Sequence, residues 1–248
     1  LLDGASKITT LIKRAKELNM PALALTDHGN MFGVLNFEHI CHANGINPIV
    51  GCEFYVTETD HKVQERTKYG GKYYHLILLC ENETGYKNMS WLCSNAYTEG
   101  LHYGKPNIDF EMLKERHEGL ICLSACIQGQ VPQALLHDDD EWAEEVARKY
   151  ADLFGPDHYY IELQDHGLPD QKIAAEKMIK LAEKLNLPLV VTNDIHYCNK
   201  DDAEAQDALR CIGFKRLLDE PHQTMGDGRT EWYFKTEEEM RRLFPNHP

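Results

Sequence analysis

A single α/β barrel is the fold class this sequence predicts, and three observations predict it. Apolar strand-like runs alternate with amphipathic helix-like runs, the pattern of βαβ units and a mostly parallel sheet. Two of the apolar runs end alike: Leu23-Ala24-Leu25 leads into Thr26-Asp27-His28, and Leu189-Val190-Val191 leads into Thr192-Asn193-Asp194-Ile195-His196. A length of 248 residues gives room for six or seven such units around one large core. Barrel enzymes build their sites where the strands end, so an acid and an imidazole at two such ends point to a metal-dependent hydrolase.

The elements follow in order. Ile8, Leu11, Ile12, Ala15 and Leu18 recur at helical spacing with Lys and Glu between them, which predicts a helix over 8–19. Pro21 introduces the first strand, Ala22–Leu25. A helix over 33–43 leads to the second strand, 48–56, and the polar, Gly-punctuated stretch 57–71 reads as a loop or hairpin. Tyr73–Cys80 is the third strand, followed by a helix near 84–98, a loop around Lys105-Pro106 and a helix over 109–117. Gly119–Leu123 is the fourth strand. Trp142, Val146, Tyr150 and Leu153 predict a helix over 139–153, and Tyr159–Leu163 the fifth strand. A helix near 170–186 precedes Pro188 and the sixth strand, Leu189–Thr192; 201–211 and 236–244 read as helices.

Composition narrows the function. The net charge of −14 argues against a broad basic surface that grips DNA unaided, and is compatible with cation binding. The 13 His are many, and the 8 Cys show neither a disulfide framework nor tandem Cys-x-x-Cys zinc spacing. Cys41, Cys52, Cys80, Cys93, Cys122 and Cys211 sit among apolar residues as buried thiols, which favours a reducing, cytoplasmic compartment. No run of about 18 apolar residues is present, so no membrane partner is expected.

In a barrel the strand ends converge on one face. They deliver Asp27 and His28 from the first strand, Glu53 from the second and His75 from the third. The fourth gives Ser124 and Cys126, the fifth Glu162, Asp165 and His166, and the sixth Asp194 and His196. Imidazole and thiolate suit zinc, and carboxylates accept harder ions and bridge two metals, so the set fits zinc, manganese or iron. Two or three cations there would neutralise a phosphate, lower the pKa of a water and hold both oxygens of an in-line displacement; phosphoester hydrolysis is the chemistry served best. Plainer roles exist for each residue. Asp27 suits a helix N-cap, the histidines suit satisfied core positions, and Cys126 suits a small core hydrophobe. Glu53 has fewer such roles, because an unpaired carboxylate in an apolar strand is costly.

The TDHGN of 26–30, GCEFYV of 51–56, HLILL of 75–79, LSAC of 123–126 and TNDIHY of 192–197 resemble the polymerase and histidinol phosphatase (PHP) superfamily. The stretch Gly85–Met89 with Ser94, Ala96-Tyr97 and Glu99-Gly100, and the stretch Tyr233–Thr236 with Glu239-Met240 and Phe244, are similar to the PHP domain of bacterial DNA polymerase III alpha subunits. The resemblance covers essentially the whole chain. It implies a distorted (β/α)7 barrel with up to three divalent ions, zinc or manganese, with magnesium or iron as alternatives. It places metal ligands at Asp27, His28, Glu53, His75, Cys126, Asp194 and His196. Glu53 would bridge, and His75 and Cys126 would complete one metal with it. Asp194 would complete a second, and His28 and His196 would serve a third, with Asp27 a ligand or a partner of one. Asp194, Glu53 and His196 would be catalytic.

The resemblance further implies that residues 1–248 are one PHP domain, an N-terminal piece of a larger subunit of a DNA-directed DNA polymerase (a nucleotidyltransferase) acting in replication. The family's first motif, His-x-His, lies just before a Leu-Leu-Asp-Gly stretch, and this chain begins at that stretch. The expected activity is 3′–5′ exonuclease action on a DNA 3′ end, with the remainder of the alpha subunit as partner. The alternative is an inactive module that stabilises the polymerase and docks a separate proofreading exonuclease. A stand-alone phosphatase for a small ester fits the 85–100 and 233–244 segments less well.

Overall fold

One long strand organises the molecule. β2, Asn47–Val56, pairs in parallel with β1, Ala22–Leu25, along its first half, and antiparallel with β3, Tyr74–Cys80, along its second. The switch occurs at Gly51, where a Cβ would stand 2.7 Å from Leu79, 2.8 Å from Thr26 and 2.9 Å from the Leu78 carbonyl, so only glycine lets both neighbours approach. The computed structural model describes residues 4–102, 104–220 and 230–245; the Leu1-Leu2-Asp3 opening lies outside the described residues.

The remaining strands are β4 (Leu101–His102), β5 (Lys105–Ile108), β6 (Leu120–Leu123), β7 (Tyr159–Leu163) and β8 (Leu189–Val191). The sheet runs β4-β5-β2-β3-β6-β7-β8, with β1 added on β2. The order β2, β3, β6, β7, β8 follows the chain. Two expectations need correction. Strand β3 is antiparallel to both β2 and β6, so the sheet is mixed rather than mostly parallel. The described residues hold eight strands where the sequence reading lists six, because Lys105-Pro106 opens β5 in a small hairpin with β4 instead of lying in a loop. Pro106 is tolerated there because β5 is short and near the sheet edge.

Helices cover the outer face. They are α1 (Ile8–Glu17), α2 (Val34–Ala43), α3 (Glu83–Thr98), α4 (Phe110–Arg116), α5 (Gln130–Leu136), α6 (Asp140–Phe154), α7 (Pro169–Leu185), α8 (Ala203–Phe214) and α9 (Glu237–Leu243). Their starts follow capping chemistry. Asn82, Asp109 and Asp139 accept from the N–H groups of Gly85, Met112 and Trp142, and Thr236 with Glu239 forms a capping box. The short α5 is absent from the sequence reading, since seven residues give too few turns for a periodic signal. The main core lies between helices α3–α7 and strands β2, β3, β6 and β7, and a second cluster packs α1 and α2 on β1. A third, smaller cluster of Ile77, Leu123 and Ala125, with Tyr160 and Val190 against it, lies on the sheet face that carries Glu53, the ladder partner of Ile77. No helix of the described residues is long and apolar enough to cross a membrane.

Candidate metal centre at the strand ends

Strand pairing continues past the strands and carries the site into register. Beyond β1, His28 bridges Glu53 in parallel; the Glu53 N–H donates to the Asp27 carbonyl at 3.0 Å, and the Gly29 N–H to the Glu53 carbonyl at 2.7 Å. At the start of β3, the His75 N–H donates to the Gln128 carbonyl at 3.0 Å, which pulls the 124–129 loop over β3. Side chains alternate along a strand and oppose across a ladder, so Glu53, Tyr55 and Tyr55's ladder partner His75 share one face.

On that face Glu53 Oε1 lies 2.8 Å from His28 Nδ1 and 2.8 Å from His75 Nδ1. Cys126 Sγ is 3.6 Å from the same His75 nitrogen. The rings of His28 and His75 are 6.1 Å apart, and those of His28 and His196 are 6.3 Å apart. The first and last strand ends therefore meet at the site, although among the described residues no ladder joins β1 to β8. His196 is fixed by its N–H to the Trp232 carbonyl (2.9 Å) and its Nδ1 to the Asp194 carbonyl (2.8 Å); Asp194 Oδ1 lies 3.7 Å from that nitrogen. Asp194 takes a left-handed backbone, φ 45°, an uncommon state for a residue other than glycine.

Of the seven expected ligands, His28, Glu53, His75 and Cys126 are in direct contact, with His196 beside His28 and Asp194 beside His196. Asp27 lies next to Gly33, where an added Cβ would stand 3.2 Å from both Asp27 Oδ2 and Leu25. Its carboxyl is pushed up by burial, partly offset by His28. It does not cap α2, whose first turn follows Gly33. Burial would raise Glu53, which is 5% exposed, but hydrogen bonds and charge from His28 and His75 outweigh it and hold the carboxyl well below the usual range. Cys126 is pushed well up, first by burial and then by the charges of Glu53 and Asp194, so the thiol stays protonated unless a cation replaces its proton.

The fifth-strand residues divide. Asp165 accepts from the Gly167 N–H at 2.7 Å and closes a turn. His166 is buried flat on Trp232, centroids 4.3 Å apart, with one nitrogen on the Asn193 carbonyl and the other taking the Gln171 amide, both at 2.8 Å; burial lowers its pKa and keeps it neutral. Both brace loops rather than join the cup. Glu162 accepts through Oε1 from Thr192 Oγ1 (2.5 Å) and Gln164 Nε2 (3.2 Å), and its N–H donates to Ser124 Oγ (2.9 Å). It thereby ties the β6 and β8 ends, two residues before Cys126 and Asp194. Burial, with the charges of Asp194 and Glu53, pushes its carboxyl up to about 7.

A raised carboxyl pKa makes the folded state bind a proton that the unfolded state releases between about pH 4.3 and pH 7. That contribution is complete below the unfolded pKa and falls away as pH rises through the folded one. In chelator-treated protein the urea midpoint of wild type should therefore drop, relative to Glu162→Gln, between pH 5 and pH 8. An identical pH profile for the two proteins would contradict the assignment.

A group the sequence reading missed lies outside the cup. Asp60, His61 and Asp109 bring ligand atoms within 4.8 Å of one another, the arrangement a metal ion needs. Asp109, however, is already the α4 cap for Met112, and its Oδ2 accepts from the His61 N–H at 2.9 Å and meets His61 Nδ1 at 2.6 Å. Burial opposes ionisation of Asp109, but these N–H groups win and lower its pKa. Its acceptor capacity serves helix and loop, which suits a brace better than an ion.

The PHP domain family matches residues 1–166. The chain is 50% identical over its whole length to DNA polymerase III subunit alpha of Treponema pallidum (strain Nichols), covering 21% of that protein. It is 44% identical over its whole length to the same subunit of Borreliella burgdorferi, covering 21% of it, and 44% identical over 99% of its length to that of Thermus aquaticus, covering 20%. It thus spans about a fifth of the length of these curated relatives. A solved amidohydrolase from Chromobacterium violaceum is similar at 15% identity and a TM-score of 0.48, over 78% of this chain and 84% of that one.

Proposed function

Because this chain belongs to the PHP domain family, we propose that it is the metal-dependent phosphoesterase domain of a DNA polymerase III alpha subunit, removing nucleotides from DNA 3′ ends. The observation that carries the reading is the single buried carboxylate oxygen of Glu53 set 2.8 Å from both His28 and His75, with the Cys126 thiol on the same imidazole. Two imidazoles, a thiol and a carboxylate do not converge on a strand face for packing alone, since each polar group is costly to bury there. The donor types fit two or three divalent ions, zinc or manganese: Glu53, His75 and Cys126 for one, Asp194 for a second, and His28 and His196 for a third. When bound, such ions neutralise phosphoryl charge and acidify a water.

The chain's own residues do the rest. Glu53 orients His28 and His75 and supplies the negative charge at the centre of the cup. The strained backbone at Asp194 aims its carboxylate toward His196, and the Trp232 carbonyl holds that histidine in place. Asp27 acts on His28 by charge, as a ligand or a partner of one. A net charge of −14 leaves the long-range gripping of DNA to the remainder of the polymerase subunit, and the cup needs only a strand end.

The test joins metal content to activity. Protein purified without chelator and analysed by mass spectrometry should carry about two to three equivalents of zinc or manganese, and should release nucleotides from a 5′-labelled oligonucleotide until chelator is added. Protein that binds metal stoichiometrically yet releases nothing would defeat the exonuclease reading. Absence of metal altogether would favour the module that docks a proofreading exonuclease.

A further inference from the structure

A lysine beside the cup stands out by its surroundings. Lys105 opens β5, the strand next to β2, and its ammonium donates to the Tyr55 hydroxyl at 2.9 Å while lying 4.8 Å from the Tyr55 ring centre. Tyr55 is two residues beyond Glu53 on the same strand face. Its ring stacks on His28 (6.3 Å, 17°) and meets His75 edge-on (5.4 Å). Tyr73 closes the group, 4.6 Å from Tyr55 and 6.0 Å from His75. Lys105 is thus one tyrosine away from two of the proposed ligands.

Two features say what this lysine is for. Lys105 has no carboxylate partner among the described residues, although the chain carries 40 acidic side chains. One of its three N–H groups is used by Tyr55, which leaves two for an anionic oxygen. The strand that carries it is also tied to its neighbours. Asn107, 1% exposed, donates through Nδ2 to the carbonyls of Gly100, His102 and Lys105, and Pro106 packs where Gly29 leaves room, a Cβ there falling 2.7 Å from Pro106. A cation without a carboxylate partner, held on Tyr55 beside the cup, is placed to meet an anion that approaches it.

We propose that Lys105, seated on Tyr55, is a phosphate subsite that binds the phosphodiester next to the one being cleaved, and so selects a polynucleotide 3′ end over a small phosphate ester. The inference rests on the phosphoesterase reading for the cleaved bond, but Lys105 acts as a binding residue and takes no part in bond breaking.

The test compares a single-stranded oligonucleotide with the p-nitrophenyl ester of thymidine 5′-phosphate, which has no second phosphodiester. Lys105→Gln should lower the ratio of kcat/KM for the oligonucleotide to that for the ester by roughly ten-fold, through KM, and Lys105→Arg should restore most of it. An unchanged ratio would overturn the proposal. In parallel, fluorescence anisotropy with an oligonucleotide bearing 3′-terminal phosphorothioates should show roughly ten-fold weaker binding by Lys105→Gln and a salt slope smaller by about 0.7. Equal affinity for both proteins would also overturn it. If wild type hydrolyses neither substrate but binds the oligonucleotide through Lys105, the phosphoesterase reading fails while the subsite stands.

Discussion

Glu53→Gln should reduce metal-dependent nucleotide release by at least about 10³-fold, the scale expected when a group that organises the charge of a site is removed. The amide keeps the shape of the carboxylate but carries no charge, and one of its two positions becomes a donor facing imidazoles. Both 2.8 Å contacts then lose the interaction that holds His28 and His75 toward one another. Asp194→Asn is the companion variant, with loss of nucleotide release and an intact fold expected. The check is release from a labelled oligonucleotide together with metal content and a circular dichroism spectrum. Turnover within ten-fold of wild type in Glu53→Gln would remove Glu53 from the mechanism.

Gly85→Ala carries the largest stability effect. Gly85 lies in the first turn of α3 and packs against the chain at Gly119, where a Cβ would fall on the Gly119 carbonyl oxygen. That obstacle is backbone at the entry to β6, which is also held by the Glu81 N–H to the Gly119 carbonyl at 2.9 Å. Alanine gains about 1 kcal/mol of helix propensity at most, whereas forcing helix and strand apart costs about 3 kcal/mol. A urea midpoint lowered by a net ~2 kcal/mol is expected. A variant as stable as wild type would mean that α3 and β6 can separate freely.

Much of this was legible in the chain itself. The apolar runs read at 22–25, 48–56 and 159–163, bounded by Pro, Gly and polar residues, are strands in the structure, and His28, Glu53, His75 and His196 come together at their ends. What the sequence hid was orientation and length. Nothing in Tyr74–Cys80 distinguishes an antiparallel strand from a parallel one, because it is apolar on both faces. β4 and β5 are too short to show alternation, and Pro106 disguises β5. At the site, Glu53 was readable as a carboxylate with no apolar excuse. The roles of Glu162 and Lys105 were not, since each depends on a neighbour strand: Thr192 and Ser124 for the first, Tyr55 for the second.

The reversed direction of β3 has a consequence for what can enter. Because β2 and β3 form a hairpin, the end of one and the start of the other both lie at the cup, and the segment that joins them, 57–73, leaves and returns at its rim. That segment is pinned at some distance by Tyr74 on Glu58 (2.6 Å) and by Lys68 and Tyr69 on Asp139 (2.6 and 2.9 Å). One side of the rim is therefore formed by a loop that contributes no strand to the frame. Changing the length of 62–72, between His61 on the Asp109 cap and Tyr73 on His75, would alter this rim while leaving both anchors in place, which gives the architecture an adjustment of selectivity separate from its donors.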